Sequence, residues 1–85
     1  MKWLNRHKNE VTVAESIMYA DVPGIRVCVH QIHGIAGWYL NCSELRLSDV
    51  NLRTNNFQEA TEQAKATIRE EFEKLEASVN KFLEN

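Results

Sequence analysis

Alternating apolar and polar residues dominate the first two thirds of the chain and predict β-strands. Residues 25–33 alternate and are rich in β-branched side chains, which is typical of a strand. Pro23-Gly24 before them is a strong turn signal, because proline fixes φ at one central position and glycine accepts a positive φ at the next. Residues 34–37 form a second, glycine-bounded loop. The pattern therefore predicts two consecutive β-hairpins.

The lengths of the two loops predict which residues share a face. A two-residue first loop places Val22 opposite Ile25, and a four-residue second loop places His33 opposite Trp38. One face is then apolar apart from Gln31 and His33, and we expect it to form the core. A slip of one residue at either turn would scatter this set. The predicted core face consists of Met18, Ala20, Val22, Ile25, Val27, Val29, Trp38, Leu40 and Cys42.

The opposite face of the predicted sheet mixes aromatic, apolar and charged side chains. Tyrosine and arginine are enriched in binding hot spots, and a contiguous apolar patch on a small domain usually meets a partner. The alternative is that Trp3 and Leu4 fold over this face. The predicted partner-binding residues are Ile17, Tyr19, Arg26, His30, Ile32 and Tyr39.

The predicted antiparallel sheet extends from residue 10 to residue 53. Its first strand is expected to begin near Glu10. Residues 44–53 form either a short fourth strand or an extended segment that crosses back towards a helix. Residues 1–9 precede the sheet as a basic N-terminal arm.

From residue 56 to residue 84 the apolar spacing changes to three and four, which predicts a long amphipathic helix. Asn56 with Glu59 three residues later indicates a capping box, and Asn55 with Gln58 is the alternative. A helix of this length spans about 40 Å, whereas strands of about eight residues span about 26 Å. We therefore expect its last two or three turns to extend beyond the sheet.

These elements predict a single domain, residues 1–85, of the α+β class: a three- to four-stranded antiparallel sheet packed on one long C-terminal helix. So short a chain has a marginal core. We expect the heptad-like stripe of the helix to pair with a second copy as a homodimer. The alternative is that Trp3, Leu4 and residues 44–53 cover this stripe. The predicted dimerisation residues are Ile68, Phe72, Leu75, Val79 and Phe82.

The net charge of -2 argues against a general binder of nucleic acid or membrane surfaces, since phosphate affinity depends on clustered lysine and arginine. No apolar run approaches the length of about 20 residues that spans a bilayer. The N-terminus has no apolar signal region. We therefore expect a cytoplasmic protein whose two cysteines are free thiols.

Histidine and cysteine cluster near the second loop, but their spacing does not favour chemistry. Structural zinc prefers closely spaced ligand pairs, whereas His30 and His33 have opposite parity along the strand. Cys28 and His30 share a face about 7 Å apart, with no orienting acid or oxyanion site in view. Cys28 and Cys42 point to opposite faces, so we expect no disulfide. We predict no enzyme, metal or cofactor.

The layout resembles that of small proteins encoded by bacteriophages and prophages. The resemblance covers an early tryptophan in a basic segment (Trp3), the Pro-Gly hairpin, "GWYL" at residues 37–40 and "EATEQAKATI" at residues 59–68. Many such proteins, anti-CRISPR proteins among them, bind and block a bacterial protein. The resemblance implies a non-catalytic inhibitor in the bacterial host cell, with a CRISPR-Cas or other defence component as target. The alternative function is a DNA- or RNA-binding phage regulator that uses the basic N-terminus and the sheet aromatics.

Overall fold

The computed structural model describes residues 3–5, 17–22 and 24–85. Within them, five strands form one antiparallel sheet in chain order, and one α-helix follows. The strands are β1 (Trp3–Asn5), β2 (Ile17–Val22), β3 (Ile25–His30), β4 (Tyr39–Cys42) and β5 (Leu47–Asn51). A 3-10 turn, Ser43–Leu45, joins β4 to β5, and helix α1 spans Phe57–Leu83. The α+β class is confirmed, and residues 44–53 do contribute a strand.

The predicted sheet of three to four strands lacked β1, which lies in the segment interpreted as a basic arm. Trp3 pairs with Ala20 and Leu4 with Tyr19, so Trp3 lies on the core face. Its ring meets Phe57 edge-on, with 6.1 Å between centroids. Burial of this large ring gives the segment a physical reason to join the sheet. The predicted strand start near Glu10 lies outside the described residues.

The first hairpin has the predicted register, with Val22 opposite Ile25 and Ala20 opposite Val27. Gly24 has a φ of 83°, a left-handed conformation that glycine adopts without a steric cost. The interpretation of Pro23-Gly24 as a tight turn is consistent with this pairing, although Pro23 itself lies outside the described residues.

The predicted register of the second hairpin is wrong by two residues. His30, not His33, is the last residue of β3, and it lies opposite Tyr39. The connection therefore runs from residue 31 to residue 38 instead of forming a four-residue loop. Because side chains alternate with a period of two, the shift leaves every predicted face unchanged.

Trp38 does not pair with β3, because its backbone is hydrogen-bonded to the segment that leads into the helix. Its N–H donates to the carbonyl of Thr54 at 3.1 Å, and its carbonyl accepts from the N–H of Leu52 at 2.9 Å. Gly37, with a φ of 99°, makes the turn just before these bonds. The backbone of Trp38 thus pairs with residues 52–54, which explains why β4 starts only at Tyr39.

The first half of α1 covers the core face of the sheet. Ala60 and Ala64 are completely buried, and such small side chains let the helix lie close to the strands. The bounds of α1 agree with the prediction. The buried apolar core consists of Ala20, Val27, Val29, Trp38, Leu40, Cys42, Leu52, Ala60 and Ala64.

Asn56 caps α1 as predicted, but the capping box includes one further residue. The side chain of Asn56 accepts from the N–H of Glu59 at 3.0 Å. The Glu59 carboxylate accepts from the hydroxyl of Thr54 at 2.7 Å, and that hydroxyl accepts the N–H of Asn56 at 3.1 Å. In a capping box the Glu59 carboxylate would accept the Asn56 N–H directly, whereas here the Thr54 hydroxyl lies between these two groups.

The second half of α1 extends beyond the sheet. Phe72, Leu75 and Val79 are about half exposed, and Phe82 is 75% exposed. Ile68, by contrast, packs against the core. Of the alternative covering by Trp3, Leu4 and residues 44–53, only a part is present: Leu45 and Arg46 line a depression beside Leu75, and the stripe stays about half exposed. Within the ranges described, no helix is long and apolar enough to cross a membrane.

Replacing Trp38 tests the central position of this residue in the core. Trp38 is 6% exposed, packs on Phe57 at 5.1 Å between centroids, and donates its indole N–H to the Asn55 carbonyl at 3.1 Å. Trp38→Ala should lower the free energy of unfolding by about 3–5 kcal/mol, measured by urea denaturation. Ile35→Ala, at a loop position that is 53% exposed, should change it by less than about 0.5 kcal/mol. Equal losses in the two variants would contradict the assignment.

Candidate functional site

The backbone register assigns two cross-strand rows of residues to the face of the sheet opposite α1, here called the outer face. The first row runs from β1 to β4 as Leu4, Tyr19, Cys28 and Asn41. The second runs from β2 to β5 as Ile17, His30, Tyr39 and Asn51. Leu4 extends this face beside Tyr19 and is 40% exposed, so it does not cover the face as the sequence alternative supposed.

Most of the predicted partner-binding residues lie together on the outer face. Tyr19 and Tyr39 are half-buried there, and Arg26 is exposed. The backbone of Ile17 is in the second row, while its side chain lies outside what the structure describes. Ile32 does not belong to a strand, because β3 ends at His30. It lies half-buried in the following connection, where its carbonyl accepts the N–H of Ile35.

His30 is the centre of a hydrogen-bonded cluster with Asn41 and Asp49, and only 15% of its side chain is exposed. Asp49 donates its N–H to Asn41 Oδ1 at 2.7 Å. This bond orients the amide, so that Asn41 Nδ2 faces His30 Nε2 at 2.7 Å and Asp49 Oδ1 at 3.3 Å. The ring of Tyr39 lies next to the imidazole at 6.3 Å between centroids.

His30 Nε2 has two polar neighbours, one a donor and one an acceptor. Asn41 Nδ2 lies 2.7 Å from it and Asp49 Oδ1 lies 3.0 Å from it. Whether Nε2 accepts from the amide or donates to the carboxylate depends on the tautomer of the ring. The cluster is a hydrogen-bonded polar centre on a face that also carries aromatic, apolar and charged side chains.

Asn41 and Asp49 were absent from the predicted site. Asn41 is two residues after Tyr39 in β4. The alternation of side chains along the strand was therefore enough to predict that Asn41 lies on the same face as Tyr39. Asp49 lies within an irregularity in the pairing of β4 with β5 and has a φ of 47°. This left-handed conformation turns it towards His30, and no local pattern in the sequence predicts it.

A shallow depression of about 460 Å³ lies at one end of the outer face. Arg26 and Arg46 are among its lining residues, and Cys28 is beside them. Arg26 is held by Asp21, with 3.3 Å between Nε and Oδ1. No described residue forms an ion pair with Arg46. The residues that line the depression are Arg26, Cys28, Asn41, Ser43, Arg46, Leu47 and Ser48.

The two cysteines are free thiols on opposite faces, as predicted. Burial raises the pKa of the Cys28 thiol, and the negative charge of Asp49 adds to the effect. Burial also raises the pKa of Cys42, against a smaller opposing effect of a backbone hydrogen bond from Leu45. A protonated thiol is a weak nucleophile, so Cys28 lacks the activation that a catalytic cysteine beside His30 would need. In the described residues, no three His, Cys, Asp or Glu side chains converge as a metal site.

Comparison of the chain with protein-family models, with curated proteins and with solved structures found no match.

Alkylation should distinguish the two thiols. Cys28 is half-buried on the outer face, whereas Cys42 is only 1% exposed in the core. With iodoacetamide near neutral pH, we expect slow modification of Cys28, faster as the pH rises, and modification of Cys42 only on unfolding. Peptide mass spectrometry measures both rates. Equal rates in the native protein would contradict the placement of Cys42.

Glu44, in the 3-10 turn between β4 and β5, should make the stability of the protein depend on pH. Its carboxylate accepts the backbone N–H of Arg26 at 3.2 Å, and this bond is the main cause that lowers the pKa of Glu44 below its usual 4.5. Because the pKa of Glu44 is lower in the folded state than in the unfolded state, its ionised form stabilises the fold at any pH above the unfolded-state pKa. This contribution is lost as the pH falls through the folded-state pKa. Glu44→Gln should therefore be less stable than wild type at neutral pH, and the two should converge in acid.

Urea unfolding of both proteins across this range measures the difference. Glu73→Gln removes one negative charge from an exposed position of α1 and is the matched control. A Glu44→Gln deficit that persists undiminished in acid would contradict the role of the carboxylate.

Proposed function

We propose that this protein functions by stoichiometric, non-catalytic binding of another protein through its outer face. The observation that carries this proposal is the grouping of Tyr19, Tyr39 and Leu4 on one face with the His30 cluster, beside a depression lined by two arginines. Aromatic rings provide contact area at a small entropic cost, and arginine anchors acidic groups. The partner that fits this face presents an apolar surface and a carboxylate that enters between Arg26 and Arg46.

The charges of the outer face favour a protein over a nucleic acid. Arg26 is paired with Asp21, and its backbone N–H binds Glu44. Asp49 adds a further negative charge beside His30. A nucleic-acid surface requires cations in excess along the phosphate backbone, and the described face does not provide them. The regulator that binds DNA or RNA is therefore the less favoured function.

The target class that we propose is a bacterial protein, and a CRISPR effector or another defence component is the first to test. The resemblance of the layout to phage-encoded proteins supports this choice. The site of action would then be the bacterial cytoplasm.

The proposal predicts that two outer-face substitutions abolish capture of the same target. The wild-type protein is used as bait in a bacterial lysate, bound proteins are identified by mass spectrometry, and the target is then purified. Tyr39→Ala and Arg26→Glu should each weaken binding at least about tenfold, as expected for hot-spot side chains. Lys81→Glu makes the same change of charge as Arg26→Glu at the far end of α1 and should bind like wild type.

Protection of Cys28 gives a second readout with the purified target. Because Cys28 lies in the depression beside Arg26, a bound partner should slow its alkylation. If all four proteins bound the target equally, or if Cys28 stayed accessible in the complex, the outer face would not be the interface. Retardation of generic DNA at about 150 mM salt would instead favour the nucleic-acid function.

A further inference from the structure

We propose that the exposed half of α1 binds a second copy of this chain in antiparallel orientation, with Arg69 of each copy paired to Glu76 of the other. The outer face is on the opposite side of the sheet, so this inference does not depend on the proposed function. Beyond the sheet, α1 carries an exposed apolar stripe.

The stripe has the spacing of a two-helix seam. Phe72, Leu75, Val79 and Phe82 follow one another at intervals of three and four, as core positions of a coiled coil do. All four are about half exposed or more. Phe82 and its neighbour Leu83 are at least 70% exposed. Exposed apolar patches of this kind often mark an interaction site.

Two charged residues flank this stripe on one side, and neither has an ion-pair partner among the described residues. Arg69 and Glu76 are one heptad apart and each directly follows a stripe position, Ile68 and Leu75 respectively. Both are exposed. The ion pairs of α1 in the described structure use Lys65 and Lys74, and none uses Arg69 or Glu76.

An antiparallel pairing satisfies both charges at once. In this pairing Phe72 of one helix lies beside Leu75 of the other, both in the exposed half of α1. The flanking positions that then meet are Arg69 of one copy and Glu76 of the other. The two-fold axis repeats this contact, so one register gives two attractive pairs.

A parallel pairing brings like charges together instead. In that orientation the residue just before Phe72 in one copy faces the residue just after Leu75 in the other copy. Glu71 would then face Glu76 of the second copy, again twice. Glu71 also holds Lys74 at 3.4 Å within its own chain. Charge complementarity therefore selects the antiparallel orientation.

Charge reversal at one residue distinguishes the two orientations. In the antiparallel pair, Glu76→Arg replaces two attractions with two Arg–Arg contacts and should weaken self-association about tenfold. In a parallel pair the same change would create attraction to Glu71 and tighten association. Arg69→Glu should also weaken the dimer, and the double variant Arg69→Glu/Glu76→Arg should restore it. Sedimentation equilibrium at low salt, over a wide micromolar range, measures the dissociation constants.

The controls separate loss of the dimer from loss of the fold. Leu75→Glu/Val79→Glu should be a monomer with an unchanged far-ultraviolet circular dichroism spectrum. Ala77→Glu, on the other side of the same turn, should associate like wild type. A wild-type monomer at high micromolar concentration, a tighter Glu76→Arg dimer, or a double variant as weak as the single ones would each overturn the proposal.

Discussion

The packing of the first half of α1 on the sheet is the constraint on which the other features depend. Phe57 lies between the rings of Trp3 and Trp38, with centroid separations of 6.1 and 5.1 Å. One turn later the contact surface becomes Ala60 and Ala64, which are fully buried. Large rings at the start and small side chains after them fix both the position and the close approach of the helix. Since the strands are shorter than α1, the rest of the helix must leave the sheet with its apolar stripe exposed.

The same packing determines what the outer face presents. The backbone of Trp38 is bonded to residues 52–54, and its indole donates to Asn55, so Trp38 is held with the helix start and cannot pair with β3. β4 consequently begins at Tyr39, opposite His30. This register brings Asn41 to 2.7 Å from His30 and allows Asp49 to close the cluster. A tryptophan buried on the helix side thus sets the polar geometry on the other side of the sheet.

The sequence predicted the faces of the sheet and the bounds of the helix better than it predicted strand ends. Faces depend only on parity, which survives a register error of two residues. Helix spacing and the Asn56 cap are local signals. Gln31 and His33 are polar residues on the predicted core face, but the prediction continued the strand through them to pair His33 with Trp38, whereas β3 ends at His30. β1 and the left-handed Asp49 depend on contacts distant in sequence, so no local pattern contained them.

The two proposed surfaces can operate in the same molecule because the fold separates them. The outer face lies on one side of the sheet, whereas α1 covers the other side and projects past its end. In the proposed antiparallel dimer the two sheets would lie at opposite ends of the helix pair, and each outer face would remain open. A target with two copies of the recognised surface would then be bound at both ends, which raises the effective concentration of the second contact.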